Sequence, residues 1–129
     1  FWLIPEIINK FKNKKVVVNN LNIKRDLIYI HDLIEAIIKS IFLKSKFEII
    51  NIGSGKSHSI KKIIEILQKI NNTALLIKNK KIYRKGEILK TKLDIKKAKK
   101  ILKWRPLWSL EQGLKDTVYK LKILKNNER

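Results

Sequence analysis

Short apolar runs alternate along the chain with segments in which apolar residues recur every three or four positions. The runs predict strands at residues 15–18, 27–30, 47–52 and 74–77. The periodic segments predict helices that begin near Pro5, Asp32, Ser59, Asp94 and Ser109. Because strands alternate with helices, the pattern indicates an α/β or mixed α+β domain.

Two of the predicted helices begin with a capping pattern. Asp32 is followed three residues later by Glu35, and Ser109 by Gln112, which is the spacing at which a cap and a reciprocal acceptor satisfy the first helical N–H groups. We therefore expect Asp32 to act as a structural cap. The helix after it carries an apolar stripe that we expect to face the core, formed by Ile34, Ile37, Ile38 and Ile41.

Composition excludes several classes of protein. The chain has no cysteine, so disulfides and cysteine-based metal sites are excluded, and no apolar run approaches the roughly 18 residues of a membrane span. We expect a cytoplasmic protein that makes no membrane contact. His31 and His58 have no carboxylate neighbours at ligand spacing, so the sequence supports no metal site.

The net charge of +20 has two readings. A basic chain of this kind can bind nucleic acid or an anionic membrane. The alternative is a lysine-rich proteome, because Lys, Ile and Asn are all abundant and all have A/T-rich codons. Only four of the 31 basic residues are arginine, and the lysines are spread over the whole length. Since phosphate-clamping and base-reading proteins favour arginine, we prefer the second reading and expect no specific nucleic-acid partner.

A glycine-containing segment, Asn51 to Ser57, imitates two phosphate-binding motifs without matching either. The first glycine of a P-loop would fall at Ile50, and the third glycine of a dinucleotide fingerprint would fall at His58. The expected role of the segment is a turn from a strand into a helix, where glycine tolerates positive φ.

Four segments, in order, resemble the NAD-dependent epimerase/dehydratase family of extended short-chain dehydrogenases/reductases. They are Arg-Asp-Leu-Ile-Tyr-Ile-His-Asp at 25–32, Asn-Ile-Gly-Ser-Gly at 51–55, Arg-Lys-Gly-Glu-Ile at 84–88, and the run at 93–114. The last is the most specific, since its Lys-Ala, Leu-Lys-Trp-Arg-Pro and Ser-Leu-Glu-Gln-Gly-Leu pieces keep the family spacing over some twenty residues. The UDP-glucose 4-epimerase branch is the most similar.

The resemblance implies that residues 1–129 are the C-terminal, substrate-binding portion of a Rossmann-type sugar-nucleotide epimerase or dehydratase. The family's Gly-x-x-Gly-x-x-Gly loop and its catalytic Tyr-x-x-x-Lys are absent, and the chain contains no methionine. We therefore expect that an N-terminal part, which would bind NAD, is missing. This chain is then expected to carry no catalytic residue and to be inactive alone.

The resemblance also implies a substrate site. Arg25 and Arg84 would hold the diphosphate of a sugar nucleotide, most readily a UDP-sugar, and Glu87 would contact the ribose. Val16 and Val18 would form the base-facing wall. The complete protein is expected to be a homodimer.

Alternatives remain at the level of the residues. Arg25 could pair with Asp26 or lie on the surface, and the loop around Arg84 could be merely solvated. The whole chain could be a non-catalytic basic module that binds RNA or anionic surfaces, or a degenerate remnant without activity that exposes apolar surface and aggregates. Two departures from the family stand out: Asn19 to Asn22 replace a glycine-rich turn, and Lys103 replaces the glycine before Trp104.

Overall fold

Helices and short strands alternate in the computed structural model, which describes residues 3–44 and 47–127. This confirms the α/β class. The helices are α1 (Leu3–Lys10), α2 (Ile30–Ile41), α3 (Ile60–Asn71), α4 (Lys96–Ile101) and α5 (Leu110–Asn127), and the strands are β1 (Lys15–Val18), β2 (Lys24–Arg25), β3 (His58–Ser59) and β4 (Leu76–Asn79).

The chain divides into two compact units. The first contains the residues up to Ile23, Ser59–Leu89 and the residues from Leu114 onward, and the second contains Lys24–His58 and Lys90–Gly113. None of the helices within the described ranges is long and apolar enough to cross a membrane.

A parallel pair of strands organises the first unit. β1 pairs with β4 in the register Lys15↔Leu76 to Val18↔Asn79. Side chains alternate along β1, so that Val16 and Val18 are buried while Val17 is exposed. Ser59 caps α3 by accepting a hydrogen bond from the Lys62 N–H at 3.1 Å, as predicted. The buried residues of α3 are Ile63, Ile64, Ile66 and Leu67.

The second unit has its own apolar core beside α2 and α4. Its buried members are Ala36, Ile95, Ala98, Leu102 and Trp104. Trp104 is 1% exposed, so this tryptophan anchors the packing beside α4.

Two of the predicted strands are wrong. Residues 27–30 are not a strand, because β2 is limited to Lys24–Arg25 and Ile30 already begins α2. Residues 47–52 also lack strand structure, and Phe47 and Ile49 are exposed. A strand requires a hydrogen-bonded neighbour, and within the described ranges neither segment has a continuous ladder. The strand predicted at 74–77 forms two residues later, at Leu76–Asn79.

The inward face predicted for α2 is also wrong. Ile34, Ile37, Ile38 and Ile41 are between 45% and 71% exposed, whereas Asp32 and Ala36 are the buried residues of the helix. Periodicity shows that a helix has an apolar side but does not show what covers that side. The described part of the chain leaves this side uncovered.

Two helix ends differ from expectation in an informative way. α2 begins at Ile30, with Tyr29 at the N-cap, so Asp32 does not cap it. After α4, where Lys103 replaces the family's glycine, the lysine adopts the left-handed φ of +50° that a glycine would adopt more easily. Its carbonyl oxygen accepts a hydrogen bond from the Lys39 ammonium at 3.1 Å.

Candidate functional site

Arg25 ends β2 and is half-buried. Its Nη1 donates to the carbonyl oxygen of Lys24 at 2.9 Å. The same carbonyl accepts the main-chain N–H of Thr91 at 3.1 Å, and Lys24 forms a parallel bridge with Lys90. The main chain next to Arg25 is therefore hydrogen-bonded to the segment around Thr91 in the same unit.

The carboxylate of Asp26 accepts hydrogen bonds from the main-chain N–H groups of three residues. Oδ1 accepts the N–H of Ser54 at 2.8 Å and the Ser54 hydroxyl. Oδ2 accepts the N–H groups of Gly55 and Leu93, both at 3.0 Å. Asp26 therefore joins β2 to the glycine turn and to the segment before α4. Charge-assisted hydrogen bonds of this kind are about twice as strong as neutral ones.

The glycine turn is close-packed against the rest of its unit. A Cβ placed on Gly53 would lie 2.6 Å from Cδ1 of Leu93, and Gly55 has a φ of +69° with Ile95 3.2 Å from its ideal Cβ. These contacts require glycine at Gly53 for space and at Gly55 for backbone conformation. They confirm the turn, but its predicted place between a strand and a helix is wrong, because residues 47–52 lack strand structure and β3 lies between the turn and α3.

Arg84 and Glu87 come together in a single turn on the first unit. The Glu87 N–H donates to the Arg84 carbonyl oxygen at 3.0 Å, and Glu87 Oε2 accepts the Arg84 N–H at 3.5 Å. Gly86 supplies the positive φ of +77°. Arg84 is exposed while Glu87 is half-buried. The loop therefore carries an exposed cation, and the Glu87 carboxylate helps to close the turn.

Val16 and Val18 lie in the same unit as the Arg84 turn, but their side chains point inward. They are 3% and 8% exposed, against 42% for Val17. The surface that β1 can offer to a ligand is therefore its main chain and the side chains of Lys15 and Val17. Arg25 belongs to the second unit.

The sequence indicated Arg25 and missed the residue that organises its surroundings. The sequence indicates Asp26 only as a partner for Arg25, whereas its Oδ1 accepts from Ser54 and its Oδ2 from Gly55 and Leu93. One signal could have revealed this role. A Gly-Ser-Gly turn exposes several N–H groups in succession, and such turns require an acceptor.

His31, one of the two histidines, stacks in an aromatic cluster with Tyr29 and Trp108. Ring centroids of Tyr29 and Trp108 are 4.4 Å apart, and His31 stacks on both rings at 5.2 and 5.6 Å. Tyr29 also packs against Gly113 of α5, where an added Cβ would meet its ring at 2.9 Å. Among the residues that the structure describes, no group of three or more His, Cys, Asp or Glu side chains could hold a metal ion.

Comparison with known proteins decides the family. Residues 3–117 match the protein-family model described as GDP-mannose 4,6 dehydratase. The chain belongs to the NAD-dependent epimerase/dehydratase family. Over 98 residues it is 43% identical to a UDP-glucuronate 4-epimerase of Thermodesulfobacterium geofontis, and the match covers 73% of this chain and 29% of that protein. The family consists of sugar-nucleotide epimerases, dehydratases and related enzymes.

Solved structures of epimerase/dehydratase family members have the same fold. The UDP-glucose 4-epimerase of Thermotoga maritima with UDP-glucose superposes with a TM-score of 0.82 at 27% identity, over 95% of this chain and 40% of the epimerase. The UDP-glucuronic acid 4-epimerase of Bacillus cereus, in complex with UDP-glucuronic acid and NAD, gives 0.81 at 28% identity, over 92% and 40%. The chain spans about a third of the length of the curated relatives it matches.

NAD is the cofactor of the epimerase/dehydratase family, and the glycine turn of this chain does not fit it. Its one glycine-rich turn directs the N–H groups of Ser54 and Gly55 into the Asp26 carboxylate, so they are not available to a diphosphate. The space beside Gly53, where a side chain would lie, is occupied by Leu93. A dinucleotide site uses open N–H groups at a helix N-terminus, whereas the N–H groups of Ser54 and Gly55 are bonded to Asp26 and β3 separates this turn from α3.

Proposed function

We propose that this chain binds the nucleotide-diphosphate part of a sugar nucleotide, as the substrate-binding portion of a longer NAD-dependent epimerase/dehydratase. The observation that carries the proposal is the state of Arg25. Its guanidinium lies at the end of a strand whose main chain is held by Thr91, and Nη1 is oriented by the Lys24 carbonyl. An arginine restrained in this way loses little conformational entropy when it binds an anion.

The other site residues have complementary roles in this proposal. Arg84 supplies a second guanidinium to the diphosphate from its exposed turn, and Glu87 accepts hydrogen bonds from the ribose. β1, which carries Val16 and Val18, faces the base with its main chain. The exposed side chain of Arg84 and the turn closed by Gly86 suit a contact that forms when the ligand arrives.

Physical chemistry favours the two arginines over the many lysines. A guanidinium offers paired N–H donors that match a phosphate bidentately, whereas an ammonium acts as a point charge. Hydrogen bonds to charged groups contribute about 1.5–3 kcal/mol each. The net charge of +20 then increases the rate at which an anionic ligand is captured, without determining where it binds.

The remaining parts of the reaction are assigned outside this chain. NAD and the groups that exchange protons with the sugar belong to the portion of the family fold that the match does not cover, since the chain spans 40% of the Thermotoga structure. A UDP-sugar is the preferred substrate, because the neighbours crystallised with substrate contain UDP-glucose or UDP-glucuronic acid. The complete protein is proposed to be a homodimer.

A calorimetric titration of UDP-glucose into the 129-residue chain tests the proposal. Arg25→Ala should weaken binding by about tenfold or more, the loss expected for one charge-assisted pair. Arg105→Ala is the matched control, since it removes the same charge from an exposed arginine of the same unit. Equal affinities for the wild type and Arg25→Ala would refute the role of Arg25.

A random RNA oligonucleotide, titrated at two salt concentrations, tests the alternative of a general anion binder. We expect the UDP-glucose affinity to exceed the oligonucleotide affinity at physiological salt. Oligonucleotide binding that dominates and falls steeply with salt would favour the basic-module alternative, because each phosphate contact releases counterions.

A further inference from the structure

Asp26 and Arg25 are consecutive residues with different tasks. The main chain of Lys24, which precedes them, is held by Thr91, and the side chain of Asp26 is held by Ser54, Gly55 and Leu93. The arginine therefore lies between two fixed points, one on each side along the chain. Small displacements of Asp26 would be transmitted directly to the position from which the guanidinium projects.

The Asp26 contacts depend on a carboxylate. Both oxygens accept hydrogen bonds from main-chain N–H groups, and Oδ1 also accepts the Ser54 hydroxyl. An asparagine can reproduce the contacts on one oxygen only, because its amide NH₂ would face N–H donors in place of the other. Replacement by asparagine therefore disturbs the arrangement while preserving the volume of the side chain.

We propose that Asp26 is a positioning residue for Arg25: it fixes the end of β2 so that the guanidinium is already oriented for a diphosphate. The proposal rests on the proposed function, since it concerns the same binding site. Asp26 itself is not expected to touch the ligand, because both of its oxygens are already engaged.

The test is a double-mutant cycle on UDP affinity in the 129-residue chain. If Asp26 acts through Arg25, Asp26→Asn should weaken UDP binding by about fivefold in the wild-type background and by less than about twofold in the Arg25→Ala background. Uridine, which lacks the diphosphate, should bind Asp26→Asn as well as it binds the wild type. Asp94→Asn, at an exposed aspartate of the same unit, is the matched control.

A second variant protects the test against a general loss of structure. Ser54→Ala removes the hydroxyl, with its contacts to Asp26 and to the main chain of Lys56, and leaves the carboxylate and all three N–H donors in place. Should Asp26→Asn lose its native circular dichroism spectrum, the same cycle is run with Ser54→Ala, for which we expect a loss of about twofold that also disappears without Arg25.

The outcomes separate the two proposals. Equal losses of UDP affinity from Asp26→Asn in both backgrounds, or an equal loss for uridine, would overturn the positioning role and leave the binding role of Arg25 intact. An Arg25→Ala variant that binds UDP as tightly as the wild type would refute the proposed function, and the positioning role with it.

Discussion

The indole Nε1–H of Trp104 donates a hydrogen bond to the main-chain carbonyl oxygen of Asp32 at 3.0 Å. The Asp32 carboxylate accepts hydrogen bonds from the N–H groups of Leu107 and Trp108, which follow Trp104 along the chain, at 2.9 and 3.1 Å. The first turn of α2 and the segment after α4 are therefore joined by three hydrogen bonds around a residue that is 2% exposed. Asp32 is structural, as expected, but it stabilises a long-range contact and not the start of its own helix.

Replacing Asp32 by alanine should strongly destabilise the chain. The substitution leaves the Leu107 and Trp108 N–H groups without their charged acceptor, and a hydrogen bond to a charged group contributes about 1.5–3 kcal/mol. We expect Asp32→Ala to lower the free energy of unfolding in urea by about 3 kcal/mol. Glu111→Ala, at an exposed carboxylate, should change it by less than about 1 kcal/mol. Similar losses for both variants would refute the assigned role of Asp32.

Ser109 and Gln112 form the reciprocal cap predicted for α5. The Ser109 N–H donates to Gln112 Oε1 at 2.9 Å, and the Gln112 N–H donates to Ser109 Oγ at 3.2 Å. Ser109→Ala should lower the free energy of unfolding by about 1 kcal/mol. Ser40→Ala is the control, because Ser40 is an exposed serine whose hydroxyl bonds within α2. A Ser109→Ala variant as stable as the wild type would show that the cap does not form in solution.

Gly113 tests the packing of Tyr29 against α5. Alanine is favoured over glycine inside a helix by about 1 kcal/mol, so Gly113→Ala would stabilise an open site. Here the added Cβ would lie 2.9 Å from Cδ2 of Tyr29 and 3.2 Å from its Cβ, so we expect a lower thermal midpoint instead. Lys115→Ala, at an exposed position of the same helix, is the comparison. A higher midpoint for Gly113→Ala would contradict the close approach of Tyr29.

The uncovered side of α2 should make the chain self-associate. Its exposed apolar residues include Ile34, Ile37, Ile38 and Ile41, and exposed apolar patches of this kind promote association. Light scattering should show that Ile37→Lys combined with Ile38→Lys reduces the apparent mass at a given concentration. Glu111→Lys adds the same amount of positive charge at another exposed site and should have a smaller effect. A wild-type chain that is monomeric at high concentration would contradict this prediction.

Local signals in the sequence predicted correctly those elements whose formation depends on their own residues. β1 forms at the predicted Lys15–Val18, and Ser59 and Ser109 cap the predicted helices. These features depend on β-branched residues, on period and on capping hydroxyls, all of which act within a few positions.

The failures share a physical cause, which is dependence on distant partners. Residues 27–30 and 47–52 have the composition of strands but lack a neighbouring ladder, and the apolar face of α2 lacks a cover within the described residues. Asp26 and Asp32 bind N–H groups up to 76 residues away. No local pattern predicts contacts over such a separation, so only their chemical type could be anticipated.

The most direct test of the central claim is the ratio of the dissociation constants of uridine and UDP for the 129-residue chain. The two ligands differ by the diphosphate that Arg25 and Arg84 are proposed to hold. We predict that UDP binds at least about tenfold more tightly than uridine at physiological salt, and that the combined Arg25→Ala and Arg84→Ala variant brings this ratio close to one. Equal affinities for the two ligands in the wild-type chain, or a ratio unchanged in the variant, would contradict the account.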